Sequence, residues 1–332
     1  MYKVVVDVMG GDFAPYEILR GSKQALIRFK DLFLYLVGKS EVLKQAKDWD
    51  RVELVEAEEV VEMDEPPGEA LRKKRNASIF KGLELLKEGK ADAFVSAGNS
   101  GAVAAGGIFI LGRIKGVRRP AIATLLPSIK LPFVLIDAGA NVDSKPEDLF
   151  QFGLMGKVFL ERIWKREKPR VALLSIGEET GKGNTLVKKA HNLFKASKLN
   201  YVGNIESRDI FKGEVDVVVC DGFIGNVCLK LSEGVAEVVM SMLKEEVKKS
   251  ILAMFGMTLA RGALKKFKKR IDWREYGGAP LLGVKGNVII AHGRSDRLAI
   301  KNAIKVAMES AKLRLVEKIE DAISENLVKE EK

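Results

Sequence analysis

Short apolar runs alternate with amphipathic stretches through the first two thirds of the chain. Val4–Val8, 33–37, 52–55, Asp92–Ser96, Pro132–Asp137, Val171–Ser175, 201–205 and Val215–Cys220 read as strands. Helical patterns stand between most of them, beginning with Ile18, Leu19, Ala25, Leu26 and Phe29 on one face of a helix that starts at Pro15. This alternation predicts an α/β fold: three layers, α/β/α, around a mostly parallel, doubly wound sheet. Beyond Val235 the period changes. Residues 236–274 look helical, with Val239, Met242, Leu243 and Val247 first, and then 251–260 (ILAMFGMTLA), apolar nearly all round with Gly256 as the expected break. Leu264, Phe267 and Ile271 follow on one face, with lysines on the other. A glycine-rich loop (276–286), a strand at Val288–Ala291 and a long helix from Asp296, capped by Ser295, complete the pattern before a charged tail. The expected organisation is an α/β core of 1–235 and 275–332, with 236–274 as a protruding helical arm. So apolar a helix has to bury itself against another chain, an acyl group or a membrane surface.

The strand ends carry the chemistry. Val171–Ser175 runs into a loop with Gly177, Gly181 and Gly183, and Asn184 then opens a helix. Strand, glycine loop and helix aim bare N–H groups at an anion, and the helix N-terminus adds partial positive charge. Lys182 puts a full charge inside this loop. The segment misses the nucleotide P-loop, since three residues rather than four separate Gly177 from Gly181 and Gly183 follows the lysine. Without the hydroxyl that holds magnesium, a small phosphate suits it better than a magnesium nucleotide. An ordinary strand-to-helix turn with a solvated lysine has the same pattern. The device recurs, however, at Met9-Gly10-Gly11-Asp12, at Ser96 to Gly101 with Asn99 and Ser100, at Ala138 to Asn141, and at Asp221 to Asn226 with Gly225. Apolar strands that end in such loops imply a parallel sheet whose C-terminal edge carries all five loops as one polar crevice for a small anionic ligand.

Composition narrows the setting. With 332 residues and 47% hydrophobic content the chain can bury a large core. No stretch approaches the ~20 apolar residues that cross a bilayer, and the direct entry into a strand argues against a secretory leader. Two cysteines, Cys220 and Cys228, suit a reduced cytosolic protein, and with two histidines in other contexts they make a structural zinc site untenable. The net charge of +11 concentrates at Arg72-Lys73-Lys74-Arg75 and at 261–274. The second segment sets Arg261, Lys265, Lys266, Lys268, Lys269, Arg270 and Arg274 against Asp272 alone. Such patches attract acidic proteins or anionic membrane, when they are not simply solvated helix faces. No nucleic-acid motif accompanies them.

No nucleophile elbow is present, and His191 and His292 sit in structural contexts. Cys220 lies on a buried strand, where thiols are usually inert. Backbone amides, asparagines and Lys182 remain. They suit a reaction in which phosphate, already anionic, is itself the nucleophile and needs positioning more than a base. A thioester is a fitting partner, because a thiolate with pKa near ~8.5 leaves with little acid help. The protein would then place phosphate and stabilise the tetrahedral oxyanion.

The segments VDVMGGDFAP, ALRKKRNAS, DAFVSAGNSGA, RRPA at Arg118–Ala121, LIDAGAN, SIGEETGKGN, YVGNIESRDI, VCDGFIGNVCLK and YGGAPLLGV together resemble the bacterial phosphate acyltransferases of phospholipid synthesis, in order and over almost the whole length. The resemblance implies conversion of acyl-[acyl-carrier-protein] and inorganic phosphate to acyl-phosphate and free carrier. It implies a fold like isocitrate and isopropylmalate dehydrogenase and phosphate acetyltransferase, a homodimer, no cofactor and no metal. It also implies a cytoplasmic protein loosely held at the membrane, with a glycerol-3-phosphate acyltransferase downstream. Asn76, Ala77 and Ser207 depart from the family pattern. On this view Lys182 and Asn226 are catalytic, the lysine holding phosphate and the asparagine orienting the carbonyl or its oxyanion. Gly10, Gly11, Asp12, Ser96, Asn99, Ser100, Asn141, Gly181, Gly183, Asn184, Asp221 and Gly225 are the expected phosphate and substrate contacts. Arg72, Lys73, Lys74, Lys265, Lys266 and Lys269 are the expected carrier-protein contacts. Two rivals stay open: a metal-dependent dehydrogenase on the same fold, with Asp216 and Asp221 as ligands, and a non-catalytic carrier or membrane scaffold.

Overall fold

The computed structural model describes residues 1–327, so the expected charged tail at 328–332 lies outside the described residues. One sheet is built from β1 (Tyr2–Asp7), β2 (Leu32–Gly38), β3 (Val52–Glu56), β4 (Ala93–Ser96), β5 (Ala121–Leu126), β6 (Phe133–Ile136), β7 (Val171–Ser175), β8 (Tyr201–Glu206), β9 (Val217–Val219), β10 (Ala279–Leu282) and β11 (Asn287–Ile290). Their order is β3-β2-β1-β4-β11-β10-β5-β6-β9-β7-β8. The helices are α1 (Tyr16–Arg28), α2 (Ser40–Leu43), α3 (Pro67–Lys73), α4 (Ser78–Lys87), α5 (Ser100–Gly106), α6 (Pro146–Ile163), α7 (Thr185–Ala196), α8 (Gly222–Lys248), α9 (Ile251–Leu259), α10 (Arg261–Ile271), α11 (Arg297–Lys312) and α12 (Leu315–Leu327).

Alternating side chains on each strand feed two cores, as period-2 geometry requires. On β1, Val4 and Val6 pack with Ile18, Leu19, Ile300 and Ile304 of α1 and α11. Val5 points the other way, with Phe80, Leu83 and Val103 of α4 and α5. On β6, Val134 and Ile136 meet Phe152, Phe159 and Phe194 of α6 and α7, while Phe133 and Leu135 enter a smaller core with Val218 and Cys220. The three-layer α/β/α architecture is as the periodicity predicts.

The sheet is not uniformly directed. The flanks β3-β2-β1-β4-β11 and β6-β9-β7-β8 are each parallel, but β10 runs antiparallel to β11 and β5, and β5 antiparallel to β6. The flanks therefore point in opposite directions. β5 and β10 are the strands that the hydrophobic pattern does not reveal. β10 is four residues long, contains Pro280 and is bracketed by Gly277, Gly278 and Gly283, all at positive φ. Such punctuation reads as loop.

Other boundaries also shift. The helix expected from residue 236 starts earlier, since α8 runs unbroken for 27 residues from Gly222 and passes through residue 235. Gly256 lies inside α9, and the breaks fall at Lys249–Ser250 and Ala260. The last helix is two helices, and its first cap is Asp296, whose carboxylate accepts from the N–H groups of Leu298 and Ala299; the Ser295 hydroxyl is unpaired. The arm is thus the outer half of α8 with α9 and α10, and neither α9 nor α10 has a buried residue. Arg270 pins the arm's return to the core by donating to the carbonyls of Ser128, Ile129 and Lys130.

Asp216, just before β9, accepts from Arg166 Nη1 at 2.6 Å and from the N–H and Nε of Arg170, both at 2.9 Å. Burial pushes its carboxyl up, but the two arginines outweigh that and hold it below the usual carboxylate range. Its stabilisation is therefore complete above the unfolded value near ~3.9 and is lost as pH falls through the lower folded value. Removing one partner of a buried pair costs about 3–5 kcal/mol, and the 38% exposure of Arg170 places this one at the lower end. Asp216→Ala should lower the unfolding free energy by about 3 kcal/mol at neutral pH in denaturant titrations, with the difference from wild type shrinking in strong acid.

Candidate active site at two sheet edges

Because the flanks oppose each other, the five glycine loops do not share one edge. Strand registers place the ends of β1, β4 and β11 at one edge and those of β6, β7 and β9 at the other. Gly10, Gly11, Asp12, Ser96, Asn99 and Ser100 belong to the first edge. Asn141, Gly181, Lys182, Gly183, Asn184, Asp221, Gly225 and Asn226 belong to the second. α8 connects the two. It starts at the second edge, and Glu233 and Glu237 on it reach His292 Nε2 at 3.7 Å and Arg294 at 2.5 Å beside the first.

The second edge is organised by Asp137, which sits fully buried at the end of β6. One carboxylate oxygen accepts from the N–H groups of Ile122, Gly139 and Ala140 at 3.0–3.1 Å. The other accepts from the Asn141 N–H and side-chain amide, both at 2.8 Å. Asn141 passes its second amide hydrogen to the Pro120 carbonyl and accepts from Gly222 N–H through its own carbonyl. Burial pushes the Asp137 carboxyl upward, and these donors oppose the push. Helix α8 presses directly on this hub. A Cβ at Gly225 would fall 1.8 Å from the Asp137 carbonyl oxygen, and one at Gly222 2.5 Å from the Asn141 oxygen, so only glycine fits at either position.

Three helix N-termini gather here. Asn184 caps α7 by accepting from Val187 N–H at 2.9 Å, Asp221 caps α8 by accepting from Ile224 N–H at 3.0 Å, and α6 begins at Pro146. An open cavity of about 470 Å³ lies among them, lined by Val142, Asp143, Ser144, Asn184, Leu186, Asp221, Phe223 and Ile224. Aligned peptide dipoles make such a place favourable to an anion. Asn226 stands beside it, its amide donating to the Ala138 carbonyl at 3.2 Å above Gly139. Lys182 is exposed in the β7–α7 loop, where its stem packs over Gly177. Neither residue is part of that cavity's wall, although both belong to the same edge. Gly183 is at φ +97°, a conformation that glycine adopts without strain.

A second aspartate organises the first edge. Asp7, at the end of β1, accepts from Ser96 Oγ at 2.7 Å and from Met9 N–H at 3.0 Å. Ser96 Oγ in turn accepts from Gly98 N–H. Burial pushes the Asp7 carboxyl above its ordinary value against these bonds. Gly10 abuts Gly98, Gly11 faces Gly293, and Asp12 N–H donates to the Gly293 carbonyl. Asn99 caps α5 through Ala102 N–H and gives its amide hydrogens to the carbonyls of Glu62, Met63 and Glu65. It is a strap for that loop, with its hydrogen-bonding capacity filled, whereas Ser100 is exposed at the first turn.

The basic residues divide in the same way. Lys74 is held by Glu65 at 2.7 Å and by the Val60 carbonyl, and Lys73 pairs with Glu69, so Arg72 is the most available of the three. Lys265, Lys266 and Lys269 are exposed on α10. His191 bonds Tyr201 Oη at 2.7 Å inside α7, and burial pushes the Cys220 thiol well up, as expected of structural groups. Asp216 and Asp221 lie at opposite ends of β9, which separates them too far to share one ion. The aspartates Asp7 and Asp137 are the organisers that the sequence reading passed over. Their signal was an acid closing an apolar strand just before a glycine loop.

This is a three-layer α/β fold with glycine loops gathered at both edges of one sheet. The chain superposes on a phosphotransacetylase from Streptococcus pyogenes with a TM-score of 0.60 at 17% identity, covering 94% of each chain. It superposes on a 4-hydroxythreonine-4-phosphate dehydrogenase from Klebsiella pneumoniae with a TM-score of 0.51 at 14% identity, covering 94% of this chain and 100% of that one. These likenesses establish the fold. The sequence profile described as "Fatty acid synthesis protein" matches residues 2–318. The phosphate acyltransferase of Halothermothrix orenii is 49% identical over 331 residues, covering 98% of this chain and 99% of its own. The chain belongs to the phosphate acyltransferase family and is an acyltransferase.

Asp137→Asn tests the hub. The amide turns one acceptor oxygen into a donor that faces N–H groups, and each buried donor left unsatisfied costs about 1–3 kcal/mol. Thermal melts should show clear destabilisation, and turnover should fall with it. Wild-type stability in this variant would mean that the five bonds do not organise the edge.

Proposed function

We propose that the protein transfers the acyl group of acyl-[acyl-carrier protein] to inorganic phosphate, giving acyl-phosphate for a downstream glycerol-3-phosphate acyltransferase and the path to phosphatidic acid. The observation that carries this reading is the second edge itself, with three helix N-termini, a lysine-bearing glycine loop and an adjacent asparagine. Phosphate held by Lys182 and the amides of α7 attacks the thioester carbonyl carbon through one oxygen. Asn226, whose 3.2 Å bond to the Ala138 carbonyl is long, turns its amide to the oxyanion. The C–S bond then breaks, and the carrier leaves as a thiolate that takes a proton from water. None of these steps asks for a base of raised pKa, a metal or a nicotinamide. The filled hydrogen bonds of Asp216 argue against the dehydrogenase-like alternative.

The arm supports the remaining partners. Val227, Leu231, Val235, Val238, Val239 and Met242 are all at least 49% exposed along α8, a stripe that a second copy of the chain would cover in a homodimer. At the tip, Ile251, Leu252, Phe255 and Leu259 are 61–84% exposed and flanked by lysines, which suits lying in the surface of an anionic bilayer. No helix among the described residues is long and apolar enough to cross a membrane. The exposed cations of α10 and Arg72 then face the acidic carrier.

Purified protein should release free carrier thiol from acyl-carrier protein only when phosphate is added, with or without chelator. Lys182→Ala and Asn226→Ala should each reduce that turnover about 10²–10³-fold while remaining folded. Near-normal turnover of both at saturating phosphate would remove the two residues from the mechanism. Phe255→Glu should abolish flotation with anionic vesicles while leaving dimer mass and soluble activity intact. Loss of the dimer, or unchanged flotation, would refute membrane contact by the tip.

A further inference from the structure

A second open cavity, of about 400 Å³, adjoins the one at the second edge and shares Asp143 and Ser144 with it. Its remaining wall is cationic: Arg113, Arg118, Arg119 and Lys145, with Asp148 below. The construction is specific. Asp148 is buried and takes Arg118 Nε at 2.8 Å on one oxygen and Lys145 N–H at 2.8 Å on the other, so its charge is already committed. Buried Gln151 accepts from Arg118 N–H and donates to the Gly116 carbonyl, which ties the 113–119 turn to α6. Arg113 spends one Nη on the Arg118 carbonyl. Among the described residues the Arg119 guanidinium makes no hydrogen bond or ion pair, and it is exposed to the cavity. The Ser144 hydroxyl in the shared wall is solvent-shielded and unpaired. The N-terminus of the 18-residue α6 opens at the same point and adds its dipole to the four cations.

Guanidiniums clustered at a helix N-terminus match a phosphate group, which arginine grips through two parallel bonds. Two phosphate sources exist in the proposed reaction: the inorganic phosphate nucleophile and the phosphodiester of the carrier's phosphopantetheine arm. The nucleophile has a lysine loop and a helix N-terminus of its own beside Asn226. The adjoining cavity sets Val142, Leu186, Phe223 and Ile224 beside Asp143, Ser144, Asn184 and Asp221, a mixed track whose two carboxylates suit an uncharged, weakly polar chain better than a second phosphate. A phosphopantetheine arm has that layout, with a charged phosphodiester, a long weakly polar chain and a thioester.

We propose that the Arg113–Arg119–Lys145 cavity is a second phosphate site, which seats the phosphodiester of the donor's phosphopantetheine arm and so sets where the carrier protein docks. This rests on the acyl-carrier reading of the function. Carrier docking then centres on the turn before β5 and the start of α6, with the α10 lysines and Arg72 as outlying cations.

The experiment pairs Arg119→Ala with Arg119→Lys, both at an exposed position, with thermal midpoints as the check on folding. Loss of one charge-assisted contact corresponds to about tenfold or more in affinity. Arg119→Ala should raise KM for acyl-carrier protein by about that factor, with kcat and the KM for inorganic phosphate nearly unchanged. Arg119→Lys should recover part of the loss. Binding is read separately by NMR titration with phosphopantetheine and with pantetheine. Wild type should prefer the phosphorylated compound by about tenfold or more, and Arg119→Ala should bind the two alike. Equal binding of both by wild type, an unchanged donor KM in Arg119→Ala, or a rise confined to the KM for inorganic phosphate would each overturn the assignment. If wild type binds phosphopantetheine through Arg119 yet transfers no acyl group to phosphate, the site stands and the acyltransfer reading of the donor falls.

Discussion

A carboxylate removed from water at the end of β6 holds the second edge together. Asp137 replaces its lost hydration with five protein donors, four of them backbone N–H groups. Ionised acceptors make the stronger hydrogen bonds, and in a low-dielectric setting leaving any of them unmade is costly. The turn after β6 therefore has one satisfactory path, which fixes Asn141. Asn141 in turn fixes Pro120 on one side and the first residue of α8 on the other. The glycines at 222 and 225 are the steric complement of that arrangement, because they let a helix N-terminus come within backbone contact of the turn. The edge is thus assembled from the inside out, with a buried acid fixing the turn against which the first residues of α8 pack.

Much of this was legible in the sequence. Strand, loop and helix at 171–196, with Asn184 opening the helix, and the arm's unusual apolarity follow from periodicity and side-chain chemistry, and the family motifs carried the function class. What escaped was topological. Two short antiparallel strands, one beginning after Arg118-Arg119-Pro120 and one hidden among glycines, reverse the sheet and send half of the glycine loops to the other edge. Strand direction is set by pairing partners far away in the chain, so local pattern has no access to it. The organising aspartates escaped for a related reason: an acid after an apolar run resembles any loop residue until its donors are counted.

The division of the loops gives the two edges different characters. At the first, Asp7, Ser96 and Asn99 spend their hydrogen bonds on one another and on the 62–65 loop, so this edge is largely closed upon itself. At the second, two cavities adjoin, and their lining changes from cationic to mixed apolar and acidic across the Asp143–Ser144 segment. Both cavities sit on a segment that Asp137 and Asp148 hold from beneath.

Helix α8 gives that edge a mechanical property. Its 27 residues make a rod about 40 Å long, rooted by two glycines on the Asp137 turn and braced midway by the ion pair of Glu237 with Arg294. A beam anchored at one end and braced at its middle resists bending between those two points. The inner half of the helix, which carries Asn226, is therefore held at both of its ends, whatever the outer half meets.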